Sequence, residues 1–154
     1  MDITCEFLYK LFLTVVGVAL FSFIDKARRI VAIGSCLCGA TAFVISEILS
    51  IRLGNGFITY YISATITCLL AEVGARVIRA PVTVILLPAI IPLVPGALLY
   101  SAMKAAMNGD PLWYSEYGAE ATRATAGIGI AIVSVSAIAR SVCGAIMRFF
   151  KHKK

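Results

Sequence analysis

Two groups of residues in this 154-residue chain have the means to do chemistry inside an apolar environment. The first is the run Pro88, Pro92, Pro95, Gly96 and Tyr100, within an apolar stretch over 82–103. An interior proline removes a backbone donor and clashes with the carbonyl four residues earlier. The carbonyls of Val84, Pro88 and Ile91 are therefore expected to lose their helical donors. In hydrocarbon such groups are costly unless something satisfies them, so broken helices survive where they are buried in protein or line a watery cavity. A half-helix starting near Gly96 would aim free N–H groups and its positive dipole end at the break, which suits a carboxylate.

The second group is charged. Glu47, Glu72 and Arg140 all fall inside apolar segments, and an intramembrane charge marks an ion pair, a proton relay or a substrate path. Glu47 sits near one end of its segment and either reaches the interface or faces a polar path. Glu72 closes a line of Tyr61, Thr65, Cys68 and Glu72 at steps of four, three and four, one face of a helix. Arg140 ends a second such line, with Thr122, Thr125, Gly129 and Ser136. Glu72 and Arg140 are expected at similar depth, about one and two turns from the same surface. They either pair, or Arg140 snorkels to headgroups. Arg76 and Arg79 follow Glu72 in a short basic connection.

Composition places these groups in a membrane. The chain is 60% hydrophobic and 14% charged, with mean hydropathy +0.95, against about 45–50% and about 25% in soluble domains. The fold class expected is all-α: one integral-membrane domain over 1–154, a bundle of five spans over about 7–24, 30–51, 57–75, 82–103 and 122–147, about 20 residues each. The fourth is broken by its prolines. A longer loop is expected over 104–121, in which Asn108-Gly109-Asp110-Pro111 signals a turn and a helix start. Trp113, Tyr114 and Tyr117 follow it as an interfacial aromatic belt. The segment over 7–24 reads as a retained first span, because Asp2 and Glu6 before it are acidic.

Five spans put the termini on opposite sides. Nine basic residues fall on one side, among them Arg28, Arg29, Arg76, Arg79 and the tail Lys151–Lys154, against four on the other. The positive-inside rule then places the N-terminus outside and the C-terminus in the cytoplasm of a plasma (inner) membrane. The net charge of +6 is a membrane-flanking charge, with no nucleic-acid partner implied. The five cysteines show no metal-ligand spacing and the one histidine, His152, lies in the tail, so no metal, cofactor or enzymatic centre is expected. Gly34, Cys38 and Thr41, with Ser35 and Gly39 beside them, have the spacing that brings helices close together.

Glu72-Val-Gly-Ala-Arg76-Val-Ile-Arg79-Ala-Pro81, followed by Pro88-Ala-Ile-Ile-Pro92-Leu-Val-Pro95-Gly96-Ala-Leu-Leu-Tyr100, resembles the threonine/serine exporter family. The length and span count resemble the short membrane subunit of its two-polypeptide form. The resemblance implies secondary, proton-driven export of small carboxylate metabolites: threonine- and serine-type amino acids, or dicarboxylates such as succinate. It also implies a partner, a larger membrane subunit with an N-terminal soluble region. An odd number of spans fits such a half, since two halves can then insert in opposite senses. Two other readings stay open on the residues alone: a self-associating channel and a structural assembly factor.

Overall fold

The computed structural model describes residues 3–25, 27–54 and 56–151. These form α1 (Ile3–Ile24), α2 (Arg29–Leu53), α3 (Phe57–Ile78), α4 (Val82–Ile90), a 3-10 turn (Ile91–Leu93), α5 (Gly96–Asn108) and α6 (Pro111–Lys151). Helices α1, α2, α3 and the Pro111–Ser141 part of α6 are each long and apolar enough to cross a membrane. Val82–Leu93 and Gly96–Asn108, bent by 50° at their break, make a fifth span if taken as one. The chain is an all-α, multi-pass membrane bundle. The expected segments 7–24, 30–51 and 57–75 fall inside α1, α2 and α3.

Small residues let the helices approach. A Cβ on Gly39 would lie 2.8 Å from Val18 Cγ2 of α1, and one on Gly34 would lie 3.0 Å from Ile78 Cδ1 of α3. The spacing read as a packing surface on α2 therefore serves two different neighbours. At Gly127 of α6 the neighbour is backbone: a Cβ would meet the Phe57 carbonyl oxygen at 2.8 Å and the Tyr61 amide nitrogen at 3.2 Å. One core cluster joins Val31, Cys38, Cys68, Ala71, Ile85, Ala89 and Val135; a second joins Ala42, Ala64, Leu93, Ile128 and Ala131. Gly127 beside Phe57 and Val135 among Cys68 and Ala71 make α3 and α6 run parallel.

The region expected as a loop over 104–121 is helical on both sides of a tight turn. Gly109, at φ 74°, ends α5, and the Asp110 amide bonds back to the Ala105 carbonyl at 3.0 Å. This is the left-handed helix ending that glycine allows most readily. Helix α6 then starts at Pro111, as the turn signal predicts. Alanines at 105, 106, 119 and 121 favour helix through the segment. The aromatic belt therefore rides on α6, with the Trp113 and Tyr117 rings stacked at 5.6 Å. Between Pro111 and Gly127, α6 runs roughly 24 Å past the start of α3, and α5 packs along this extension. Of the basic residues used for orientation, Lys26, Lys153 and Lys154 lie outside the described residues.

Candidate functional site

The break is a built structure and not a frayed helix. Two of the three carbonyls expected to be orphaned are recovered by shortened bonds. The Ile91 amide donates to the Pro88 carbonyl, and the Val94 amide donates to the Ile91 carbonyl at 3.1 Å. The chain thus tightens into a 3-10 turn between prolines that cannot donate. Helix α5 does begin at Gly96, but the Gly96 amide is already used, donating to the Val94 carbonyl at 2.7 Å. The amides of Ala97 and Leu98, with no backbone carbonyl as partner, are the free donors at this helix start. Gly96 itself has negative φ, and nothing lies within 4 Å of a Cβ built on it. Its value is open space, not unusual backbone geometry. Pro88 and Pro95 are buried, Pro92 is half-buried and Tyr100 is exposed.

Against the break lies a cavity of about 150 Å³. Pro92, Leu93 and Val94 form one wall; Phe43, Ser46, Glu47 and Ser50 of α2 form another; Thr59 and Tyr60 of α3 close it. Glu47 is the only charged group among the described residues of this lining. No described basic side chain comes within 4 Å of its carboxylate; Lys10 pairs with Glu6 at 2.9 Å instead. The neighbouring hydroxyls spend their protons on backbone: Ser46 on the Phe43 carbonyl, Ser50 on that of Glu47, Thr59 on that of Gly54. Their oxygens remain available as acceptors. The cavity therefore presents a carboxylate and acceptor oxygens on one side, with the free amides of α5 starting a few residues beyond Val94.

The wall residues Phe43, Ser46, Glu47 and Ser50 follow i, i+3, i+4, i+7 spacing. That period is visible in the sequence as a polar stripe on α2, and reading Glu47 singly missed it. A second stripe was also missed. Thr59, Ser63 and Thr67 of α3 lie at i, i+4, i+8 and are at most 2% exposed. Thr67 donates to the Ser63 carbonyl at 2.7 Å, while the Ser63 hydroxyl has no partner. The stripe leads from the cavity wall at Thr59 into the middle of the bundle. The line predicted from Tyr61, Thr65, Cys68 and Glu72 is the less covered one: only Cys68 is buried.

Glu72 and Arg140 are not brought together. Glu72 pairs with Arg76 of its own helix at 3.6 Å, one turn on, and Arg140 is exposed with no described carboxylate within 4 Å. The i,i+4 partner is local and needs no particular rotation of α6. Thr122, Thr125, Gly129 and Arg140 are all exposed on α6, and Ser136 is half-buried. Thr122 and Thr125 line an open groove against Leu99, Ala102 and Met103 of α5, while Gly129 and Arg140 further along are exposed among the described residues. At the opposite end of the bundle from the break, Arg79 ends α3 in a left-handed conformation, φ 57° and ψ 43°.

A family model described as "Threonine/Serine exporter, ThrE" matches residues 10–138. No curated protein matches, and no solved structure matches.

Proposed function

This chain belongs to the threonine/serine exporter family, and on that premise we propose that it is the short membrane subunit of a two-polypeptide secondary exporter whose substrate passes the break between α4 and α5. Transport, and not catalysis, is the activity the family implies. The observation that carries the site is the Glu47 cavity against Pro92–Val94. At about 150 Å³ it is below the roughly 300–1,000 Å³ of sites for drug-sized ligands, which suits a small metabolite. The Glu47 carboxylate and the Ser46, Ser50 and Thr59 oxygens fit an α-ammonium group. The free amides of Ala97 and Leu98 and the positive end of α5 fit the carboxylate of the same molecule. This favours an amino acid of the threonine or serine type over a dicarboxylate, which Glu47 would repel.

Glu47 also serves as the coupling group in this reading, because a lone carboxylate in a small, half-buried cavity is a natural acceptor for a proton moved against the substrate. The partner is a larger membrane subunit with a soluble N-terminal region. It covers the polar α6 face of Thr122, Thr125, Gly129, Ser136 and Arg140, which lipid would penalise. The assembly lies in the plasma membrane with the arginine-bearing end toward the cytoplasm.

The test is reconstitution. Liposomes holding both subunits should export labelled threonine, liposomes holding this chain alone should not, and Glu47→Gln should remove transport while leaving membrane insertion intact. Transport by this chain alone would favour the channel reading. Normal transport by Glu47→Gln would move the path away from the break.

A further inference from the structure

At the end of the bundle that carries Arg79, the connections α1–α2 and α3–α4 enclose an open cleft of about 820 Å³. Three arginines from two separate connections line it: Arg28 and Arg29 at the start of α2, and Arg79 at the end of α3. Asp25 is the one carboxylate in the lining, and no described basic side chain comes within 4 Å of it. The described lining therefore holds an excess of positive charge. Two helices also begin here, α2 at Arg29 and α4 at Val82, and neither start has a side-chain cap. Their first-turn amides and positive dipole ends add to the same field.

Arg79 gives the second, independent sign of use. It is the one described residue other than glycine at positive φ, in a helix-ending position that normally favours glycine or asparagine. A side chain is disfavoured there by its own Cβ, yet the residue present has the fork of donors that matches a phosphate. Arg76, one turn earlier, is outside the cleft lining and is engaged with Glu72. The rest of the lining is largely apolar, with Val31, Ile78 and Val84, and Ile30 at its edge is 65% exposed. Charge inside and aliphatic side chains at the lip are the arrangement that recognises a phosphate carrying a hydrocarbon tail.

We propose that this cleft binds a phosphate group through Arg28, Arg29 and Arg79. The same chemistry is offered by an anionic lipid headgroup and by a soluble phosphate, and the apolar rim favours the lipid. The experiment titrates the purified full chain, in neutral detergent, with phosphatidic acid, with phosphatidylcholine and separately with inorganic phosphate. Binding is followed by native mass spectrometry and thermal shift. Arg79→Gly should weaken phosphatidic acid binding at least 10-fold while folding normally, since glycine is at ease in that conformation. The triple change Arg28→Gln, Arg29→Gln, Arg79→Gly should weaken it at least 100-fold, with phosphatidylcholine unaffected. Arg76→Gln, on the same end but outside the cleft, should change it less than 3-fold. Selective loss of the lipid assigns a headgroup; binding of inorganic phosphate that competes with the lipid and is lost in the triple variant assigns a soluble phosphate. Equal binding of both ligands by wild type and triple variant, or an Arg76→Gln loss as large as that of Arg79→Gly, overturns the proposal.

Discussion

The two ends of the bundle solve opposite problems. At the broken end a small cavity holds one carboxylate, and the backbone is interrupted by prolines. At the other end a wide cleft holds three arginines beside intact helix starts. The broken end keeps its polar groups few and its backbone bonds local: the 3-10 turn recovers carbonyls that the prolines would strand. The arginine end needs no such economy, because its charges are exposed and headgroups or water can satisfy them. Charge is thus placed in two ways here, half-buried in a small cavity lined by acceptor oxygens, or exposed at the end of the bundle.

The largest effect should come from removing the enclosed charge. Glu47→Gln is expected to lower threonine export by the reconstituted pair about 100-fold, ~2.7 kcal/mol of lost stabilisation. Glu47→Asp should retain part of the rate, and Arg28→Gln at the other end should lower it less than 3-fold. Radiotracer efflux from liposomes of known protein content measures all three. Equal losses at the two ends would erase the distinction between an enclosed selecting charge and an exposed one.

Packing around the two ends should differ as well. Gly127→Ala drives a methyl toward the backbone oxygen of Phe57, which cannot move aside. Overpacking of this kind costs about 1–3 kcal/mol. Gly34→Ala, toward the arginine end, meets only the far carbon of the Ile78 side chain at 3.0 Å, and a rotamer change relieves it. Thermal unfolding in detergent should therefore show a clear drop for Gly127→Ala and a small change for Gly34→Ala. The reverse order would mean that α3 and α6 are not locked at Gly127.

The break itself can be repaired. Pro92→Ala restores a donor and removes the clash with the Pro88 carbonyl. Export is expected to fall about 10-fold, ~1.4 kcal/mol, with unchanged insertion and a Tm at or above wild type. If export holds, the prolines shape packing alone and the cavity owes its role to α2 and α3.

Much of this was legible in the residues. The five apolar segments, the interruption after Pro88, the start of α6 at Pro111 and the close approaches at Gly34 and Gly39 all follow from local chemistry: hydropathy, missing donors, turn residues and small side chains. What was not legible is which helical face meets which neighbour. Glu47 and Pro92 are far apart in sequence, and their apposition depends on how α2 is rotated against α4. The stripe of Thr59, Ser63 and Thr67 was overlooked for a related reason: threonine and serine on a membrane helix satisfy themselves on their own backbone, so they raise no alarm in a sequence. The expected loop over 104–121 failed because acids and aromatics were weighed above the helix-forming alanines between them.

The smallest expected effect is the most discriminating for the interior charges. Glu72 and Arg140 occupy comparable sequence positions on parallel helices, which makes a buried ion pair between them attractive. The structure instead joins Glu72 to Arg76 at 3.6 Å, with the arginine side chain 52% exposed and the carboxylate 20% exposed. A half-exposed i,i+4 pair of this kind is worth about 0.3–0.5 kcal/mol at most, because water competes for both groups and two long side chains must be held in one geometry. A double-mutant cycle on Glu72→Gln and Arg76→Gln should therefore give a coupling within that range. A cycle on Glu72→Gln and Arg140→Gln should give none in the isolated chain, since distant sites without shared partners add. A buried pair would behave differently: losing one partner would cost about 3–5 kcal/mol and the cycle would be strongly non-additive. Adding the proposed larger subunit sharpens the measurement, because a partner that covers the α6 face would desolvate Arg140. In the complex, Arg140→Gln should then weaken association, while Glu72→Gln leaves it unchanged. A strong Glu72–Arg140 coupling in the isolated chain would mean that α6 turns its polar face inward, and the face assigned to the partner would have to be sought elsewhere.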